Sequence, residues 1–229
     1  YQFRPCVLNN KSNFSKLIFY DKAKKISRII CVANQKGGVG KTTTAASLGH
    51  GLALRGKAVL LVDLDAQAQL ASVLNIQQSD AVYELLVSTR TTYDQLMVKT
   101  GRPKLWLIPG SMETANAVAV LRDRPASLLA DKLGNTDFDY IVIDTSPGVS
   151  DLQRQAIRAA DYLIIPCAAD YLSTEGVFRY LSIAEKIDNG GQLAGILPTM
   201  FDDSTKESKA VLEELHKEFN SAVLQPIHR

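Results

Sequence analysis

A chain of 229 residues holds one sizeable α/β core and stays below the roughly 250 at which single cores divide, so one principal domain is expected. Hydrophobic residues at 46% and charged residues at 22% are ordinary for a soluble globular protein, and no apolar run nears the roughly 18 to 20 residues of a membrane span. A net charge of +2 excludes a globally basic nucleic-acid or membrane binder and leaves only a local patch open.

In chain order, the first stretch carries Arg4, Lys11, Lys16, Lys22, Lys24, Lys25 and Arg28 against a single acid, Asp21. It reads either as a basic arm that touches DNA or as a solvated lead-in whose KLIFY segment packs as a short edge strand. Residues 1–27 are therefore set apart as an N-terminal extension, with the domain proper over 28–229. The chain opens on Tyr1 rather than Met, so residues upstream of it are expected. From residue 28, apolar runs rich in β-branched residues alternate with helical patterns. The runs are RIICVAN (28–34), AVLLVDL (58–64), LWLIP (105–109), YIVID (140–144), YLIIPC (162–167) and LAGILPT (193–199). Helices are predicted over 41–55, 67–74, 81–87, 113–133, 152–160, 173–186 and 205–220. The alternation predicts an α/β fold with a doubly wound, mostly parallel sheet and helices on both faces. Ligands of such sheets bind at the carboxyl ends of the strands. Cys6, Cys31 and Cys167 form no C-x-x-C pair or metal-spaced set and are expected to be reduced thiols in an intracellular protein, with Cys31 and Cys167 acting as small buried hydrophobes.

The first run leads into Lys36-Gly37-Gly38-Val39-Gly40-Lys41-Thr42-Thr43 and then a helix, the strand-loop-helix setting of a phosphate loop. Glycines at 37, 38 and 40 let backbone amides converge on phosphate oxygens at a helix N-terminus. Lys41 supplies charge to the β and γ phosphates, and the Thr42 hydroxyl suits Mg2+. The loop lacks the usual glycine five residues before Gly40, where Gln35 stands, and carries an extra lysine, Lys36. Two later runs end in aspartates, Asp63-Leu64-Asp65 and Asp144. Side chains alternate along a strand, so Asp63 and Asp65 share a side and both can meet a nucleotide, holding the waters of Mg2+ or orienting an attacking one.

Together, KGGVGKTT (36–43), DLDAQ (63–67) and IDTSP (143–147) resemble the deviant Walker family of P-loop ATPases, and within it the ParA/Soj branch that partitions plasmids and chromosomes. IPCAADYLSTEGV (165–177) and LPTMFDDSTKESKAVLEEL (197–215) are similar to later segments of that branch, so the likeness spans residues 28–229. The resemblance implies ATP and ADP as ligands, Mg2+ as cofactor, and an ATP-dependent homodimer in which Lys36 reaches the nucleotide of the other subunit. A cation so placed neutralises charge on transferring phosphoryl oxygens. By the same resemblance Asp65 positions the attacking water and Thr42 ligates Mg2+, while Asp63 and Asp144 support its waters. Thr199, Met200 and Pro226 border the adenine. The family further implies nonspecific DNA binding, a ParB-like activator or cargo adaptor, and a cytoplasmic, nucleoid-associated protein with no membrane attachment.

Three departures stand out. Ala66 replaces the family's proline after Asp65, which predicts a looser turn. Ser204 stands where an arginine commonly contributes to DNA binding; Lys206, Lys209, Lys217 and Arg229 are the substitutes, although Glu207, Glu213, Glu214 and Glu218 dilute them. The sequence stops at QPIHR, short of the loop and closing helix usual in the family. Two other readings share the nucleotide site: a MinD-like membrane-surface switch, which needs an amphipathic C-terminal helix, and a biosynthetic or redox relative. A cluster-bridging reductase would need a cysteine near 144–147, and a diamide synthase a glutamine-hydrolysing domain.

Overall fold

The computed structural model describes residues 27–229 apart from 149, 171, 172, 188 and 189. The KLIFY segment, the rest of the basic extension and Cys6 lie outside the described residues. Seven strands form one sheet: β1 Arg28–Val32, β2 Val59–Leu64, β3 Val98–Lys99, β4 Leu105–Ile108, β5 Tyr140–Thr145, β6 Tyr162–Ala168 and β7 Gln192–Thr199. Their order is β3-β4-β2-β5-β1-β6-β7, parallel except for the β3–β4 pair. Strands β2 and β5 are buried along their whole length, as expected for a parallel sheet covered on both faces. The two-residue β3 was not foreseen; it is too short for an alternating pattern and both its residues are exposed.

The helices are α1 Lys41–Leu54, α2 Gln69–Leu74, α3 Ala81–Val87, α4 Tyr93–Leu96, α5 Ala117–Leu121, α6 Leu128–Leu133, α7 Asp151–Ala159, α8 Ser173–Ala184 and α9 Lys206–Phe219. One long helix expected over 113–133 is instead a 3-10 turn, Met112–Asn116, followed by α5 and α6. Pro125 explains the break, since it lacks an N–H and disfavours helical backbone in the residue before it. Gln155 of α7 holds the interrupted segment, donating to the Pro125 carbonyl and accepting from the Leu129 amide.

Two apolar layers sandwich the sheet. On one face, Ala45, Leu52 and Ala53 of α1 and Leu70 and Leu74 of α2 pack on Ile30, Val32, Leu61 and Val142. On the other, α3 and α5 to α9 cover Cys31, Leu60, Val62, Ile141, Ile143 and Ile165. Cys31 and Cys167 are free and buried, and burial pushes the Cys31 thiol well up. Strand β1 occupies the middle, between β5 and β6. After β1 the chain runs outward through β2 and β4, returns to insert β5, and then crosses to β6 and β7. The strand order thus reverses beside β1, and the crevice at its carboxyl end is where a ligand is expected in such a sheet.

Candidate nucleotide site

The loop from Ala33 to Gly40 leaves β1 at that crevice. Asn34 ties it to the sheet: its amide nitrogen donates to the Pro166 carbonyl at 2.7 Å, and its side-chain oxygen accepts from the Lys36 amide at 3.1 Å. Pro166 lies past the last β1–β6 pair, so its missing N–H breaks no ladder bond there. Gly38 and Gly40 have φ of 73° and 85°, a left-handed conformation that side chains resist. Gly40 is the residue before α1, no side chain caps that helix, and no acid lies in its first turn. The positive end of α1 therefore faces the loop uncompensated, as an anion cradle requires. Gly37 and Thr43 are exposed at its lip, and Val39 is buried beneath it.

Lys41 is buried, and its ammonium donates to the Lys36 carbonyl at 2.9 Å. Burial pushes its pKa down, and the carboxylates of Asp144 and Asp65 push it back up. The Lys36 side chain goes elsewhere: its ammonium contacts both oxygens of Asp170 at 2.6 and 2.8 Å. The loop is also bonded to the segment after β5, where the Gly148 amide donates to the Gln35 carbonyl.

Asp63 and Asp144 lie within strands, whereas Asp65 stands one residue past the end of β2. Asp63 of β2 pairs in register with Asp144 of β5, on the α1 side of the sheet. Both are fully buried, and both pKa values are pushed up to about 7, chiefly by burial. Their surroundings differ. Asp63 accepts from the amides of Asp65 at 3.3 Å and Ala71 at 3.4 Å, and so serves the turn into α2. Neither oxygen of Asp144 has a hydrogen-bond partner. The neighbouring Thr42 hydroxyl and Lys41 hold the Asp144 value down, while Asp63 and Asp65 raise it. An orphaned buried carboxylate beside a hydroxyl is a hard-oxygen donor set that fits a hydrated Mg2+. Among the described residues no group of three or more His, Cys, Asp or Glu could hold a metal by itself.

Asp65 is buried, and one of its oxygens accepts from the Gln67 amide at 2.9 Å while its carbonyl accepts from Ala68. The turn expected to be loose without a proline is closed by these two bonds. Gly110, after β4, makes this corner possible, because a Cβ there would come within 2.5 Å of the Asp63 carbonyl oxygen.

Across the cradle, the buried Thr199 at the end of β7 donates its hydroxyl to the Val39 carbonyl at 2.9 Å and so clamps the loop. Met200 follows with φ of 55° and is 43% exposed. It lines a cavity of about 250 Å³ with Ala168, Asp170, Asp202, Thr205 and Arg229. Half-buried Pro226 precedes Ile227, whose amide donates to the Pro198 carbonyl. The basic residues expected at a DNA surface stand among acidic ones. Lys206, Lys209 and Lys217 are exposed on α9 among exposed Glu207, Glu213, Glu214 and Glu218, whereas Arg229 lies on the cavity rim. Sequence reading missed Asn34, Asp170 and Gly110. Asn34 and Asp170 act on partners more than 130 residues away in the chain, a separation that leaves no local signal.

Comparison with known proteins bears on the family and the fold. A family model described as an AAA domain matches residues 27–193. The sporulation initiation inhibitor protein Soj of Bacillus subtilis is 33% identical over 213 residues, 88% of this chain and 84% of the relative. The chromosome partitioning protein ParA of Myxococcus xanthus is 34% identical, over 88% of this chain and 75% of its own. Among solved structures, apo McdA of Cyanothece superposes with a TM-score of 0.81 at 26% identity, covering 89% of this chain and 86% of its own. Cobyrinic acid a,c-diamide synthase of Mycobacterium smegmatis, with bound ADP and magnesium, superposes at 0.79 with 33% identity, covering 88% and 86%. With the phosphate loop, the strand-end aspartates and relatives a third identical over most of its length, the chain belongs to the ParA/Soj-type family of AAA-domain P-loop ATPases.

Proposed function

We propose that the protein is a Mg2+-dependent partition or positioning ATPase that works as an ATP-dependent sandwich dimer. The carrying observation is the division of labour at residue 36. Its carbonyl accepts from Lys41 and serves its own cradle, while its ammonium, on a side chain 38% exposed, pairs with Asp170 and not with the loop. A partly exposed cation beside the loop fits a role on the nucleotide of a facing subunit.

Within one subunit, loop amides, the α1 N-terminus and Lys41 bind and orient the triphosphate. Asp144 and Thr42 would supply the oxygens that hold Mg2+, and the ion would contribute charge neutralisation at the phosphates. Asp65 holds the water whose oxygen forms the new bond to the γ-phosphorus as the bond to the β–γ bridging oxygen breaks, giving ADP and phosphate. Met200, Thr199 and Pro226 form the base side of the site. The ATP dimer binds DNA without sequence preference, through phosphate contacts that weaken steeply with salt, and a ParB-like or adaptor protein stimulates hydrolysis and release. In cells this gives a cytoplasmic protein that gathers on the nucleoid in its ATP state.

The Lys36→Met variant tests this reading. In light scattering and phosphate-release assays, wild type dimerises with ATP and hydrolyses it, while the variant stays monomeric and inactive; wild-type behaviour of the variant would sink the proposal. The structural likeness to a diamide synthase favours a second reading, and because that chain is of matching length, size does not separate the two. Glutamine- or ammonia-dependent amidation of a carboxylate substrate, coupled to ATP, would establish it in place of the first.

A further inference from the structure

Lys36 is held on three sides. Its amide donates to Asn34, its carbonyl accepts from Lys41, and its ammonium makes two short contacts to Asp170. Asp170 is itself fixed by the sheet, two residues past the end of β6. Its amide donates to the Ala168 carbonyl, and the adjacent Ala169 amide donates to Thr199 at the end of β7. The ammonium and the carboxylate, with side chains 38% and 51% exposed, are both partly open to solvent beside the loop. A lysine cannot serve a partner's nucleotide and keep both contacts to its own Asp170.

We propose that Asp170 is a cis latch on Lys36, a positioning residue that sets how much free energy a partner's nucleotide must supply before the sandwich closes. The inference rests on the dimer reading given above. A triphosphate offers Lys36 more negative charge than the single carboxylate it leaves, and a diphosphate offers less than a triphosphate; the latch weakens both dimers by the same factor and so holds the weaker, ADP-state dimer open. A half-exposed ion pair is a weak restraint, which suits a latch that must open on every cycle. Two such pairs break for each dimer formed, so the effect on the dimer dissociation constant is the square of the effect per subunit. For pairs of this exposure that amounts to roughly 2- to 25-fold.

The test is the dimer dissociation constant at saturating ATP, from sedimentation velocity or light scattering across protein concentration, for wild type, Asp170→Asn, Asp170→Glu and Lys36→Met/Asp170→Asn. Asp170→Asn is expected to tighten the ATP dimer by that factor and to shift the midpoint of ATPase activity against protein concentration to lower concentration. Asp170→Glu, which keeps the carboxylate, is expected to return both toward wild type, and Lys36→Met/Asp170→Asn is expected to stay as monomeric as Lys36→Met, because the tightening acts only through Lys36. A merely structural role would move the ADP-state thermal midpoint instead, and the same effect would persist without Lys36. An Asp170→Asn dimer no tighter than wild type overturns the latch. Should Lys36→Met alone leave the dimer intact, the dimer reading itself fails, a different result from failure of the latch alone.

Discussion

Asp144 is the residue whose function is opposed by its surroundings. Its carboxylate is buried, neither oxygen has a hydrogen-bond partner, and burial with two neighbouring aspartates outweighs the help of Thr42 and Lys41, so its pKa rises to about 7. A carboxyl whose folded pKa lies above its ordinary 3.8 leaves the fold most stable when protonated, and that stability drains away as pH rises from about 4 through 7. Asp144→Asn removes the charge without the volume. In urea unfolding of the nucleotide-free protein at pH 7.5 it is expected to gain about 1–2 kcal/mol, with the gain shrinking toward pH 5, while Mg2+-dependent hydrolysis falls steeply. Equal stability of variant and wild type at pH 7.5 would contradict this. Lys36, Lys41, Thr42 and the three aspartates were legible because each belongs to a short motif at a strand end. Asp170 was not, because only the fold brings its carboxylate to Lys36.

Among the elements, β7 acts on the phosphate loop as directly as β1 does. The Thr199 hydroxyl reaches the Val39 carbonyl, and Thr199 Cγ2 would lie 3.8 Å from a Cβ at Gly40. Thr199→Val keeps the shape and strands that carbonyl. A loss of about 1 kcal/mol in thermal or urea unfolding is expected, with severalfold weaker binding of a fluorescent ATP analogue; unchanged affinity would show the clamp to be idle. The run LAGILPT announced the strand, yet nothing in it announced that a threonine expected beside adenine would hold the loop. Six of the strands were legible as β-branched apolar runs bounded by turn residues. The broken stretch between 113 and 133 was misread because its apolar spacing stays helical on both sides of Pro125, and β3 is held only by its pairing to β4.

For the whole molecule, the described residues contain no helix long and apolar enough to cross a membrane, and the sheet orders everything around β1. One margin of that sheet is finished by the chain itself. Residues 223–228 lie along β7, with bridges from Ile196 to Val223 and from Phe201 to His228, and with Leu224 fitted against Gly195, where a Cβ would come within 2.5 Å of Leu224 Cγ. Leu224→Asp is expected to lift this strip, lower the thermal midpoint by several degrees and promote concentration-dependent aggregation in static light scattering. A variant as soluble and stable as wild type would mean the strip is dispensable. The opposite margin is β3, only two residues long. With one border occupied and the other a two-residue strand, the sheet of the described residues presents no long unpaired edge for growth by strand addition. In the dimer proposed above, copies meet instead across the tips of the strands, the end that carries Lys36.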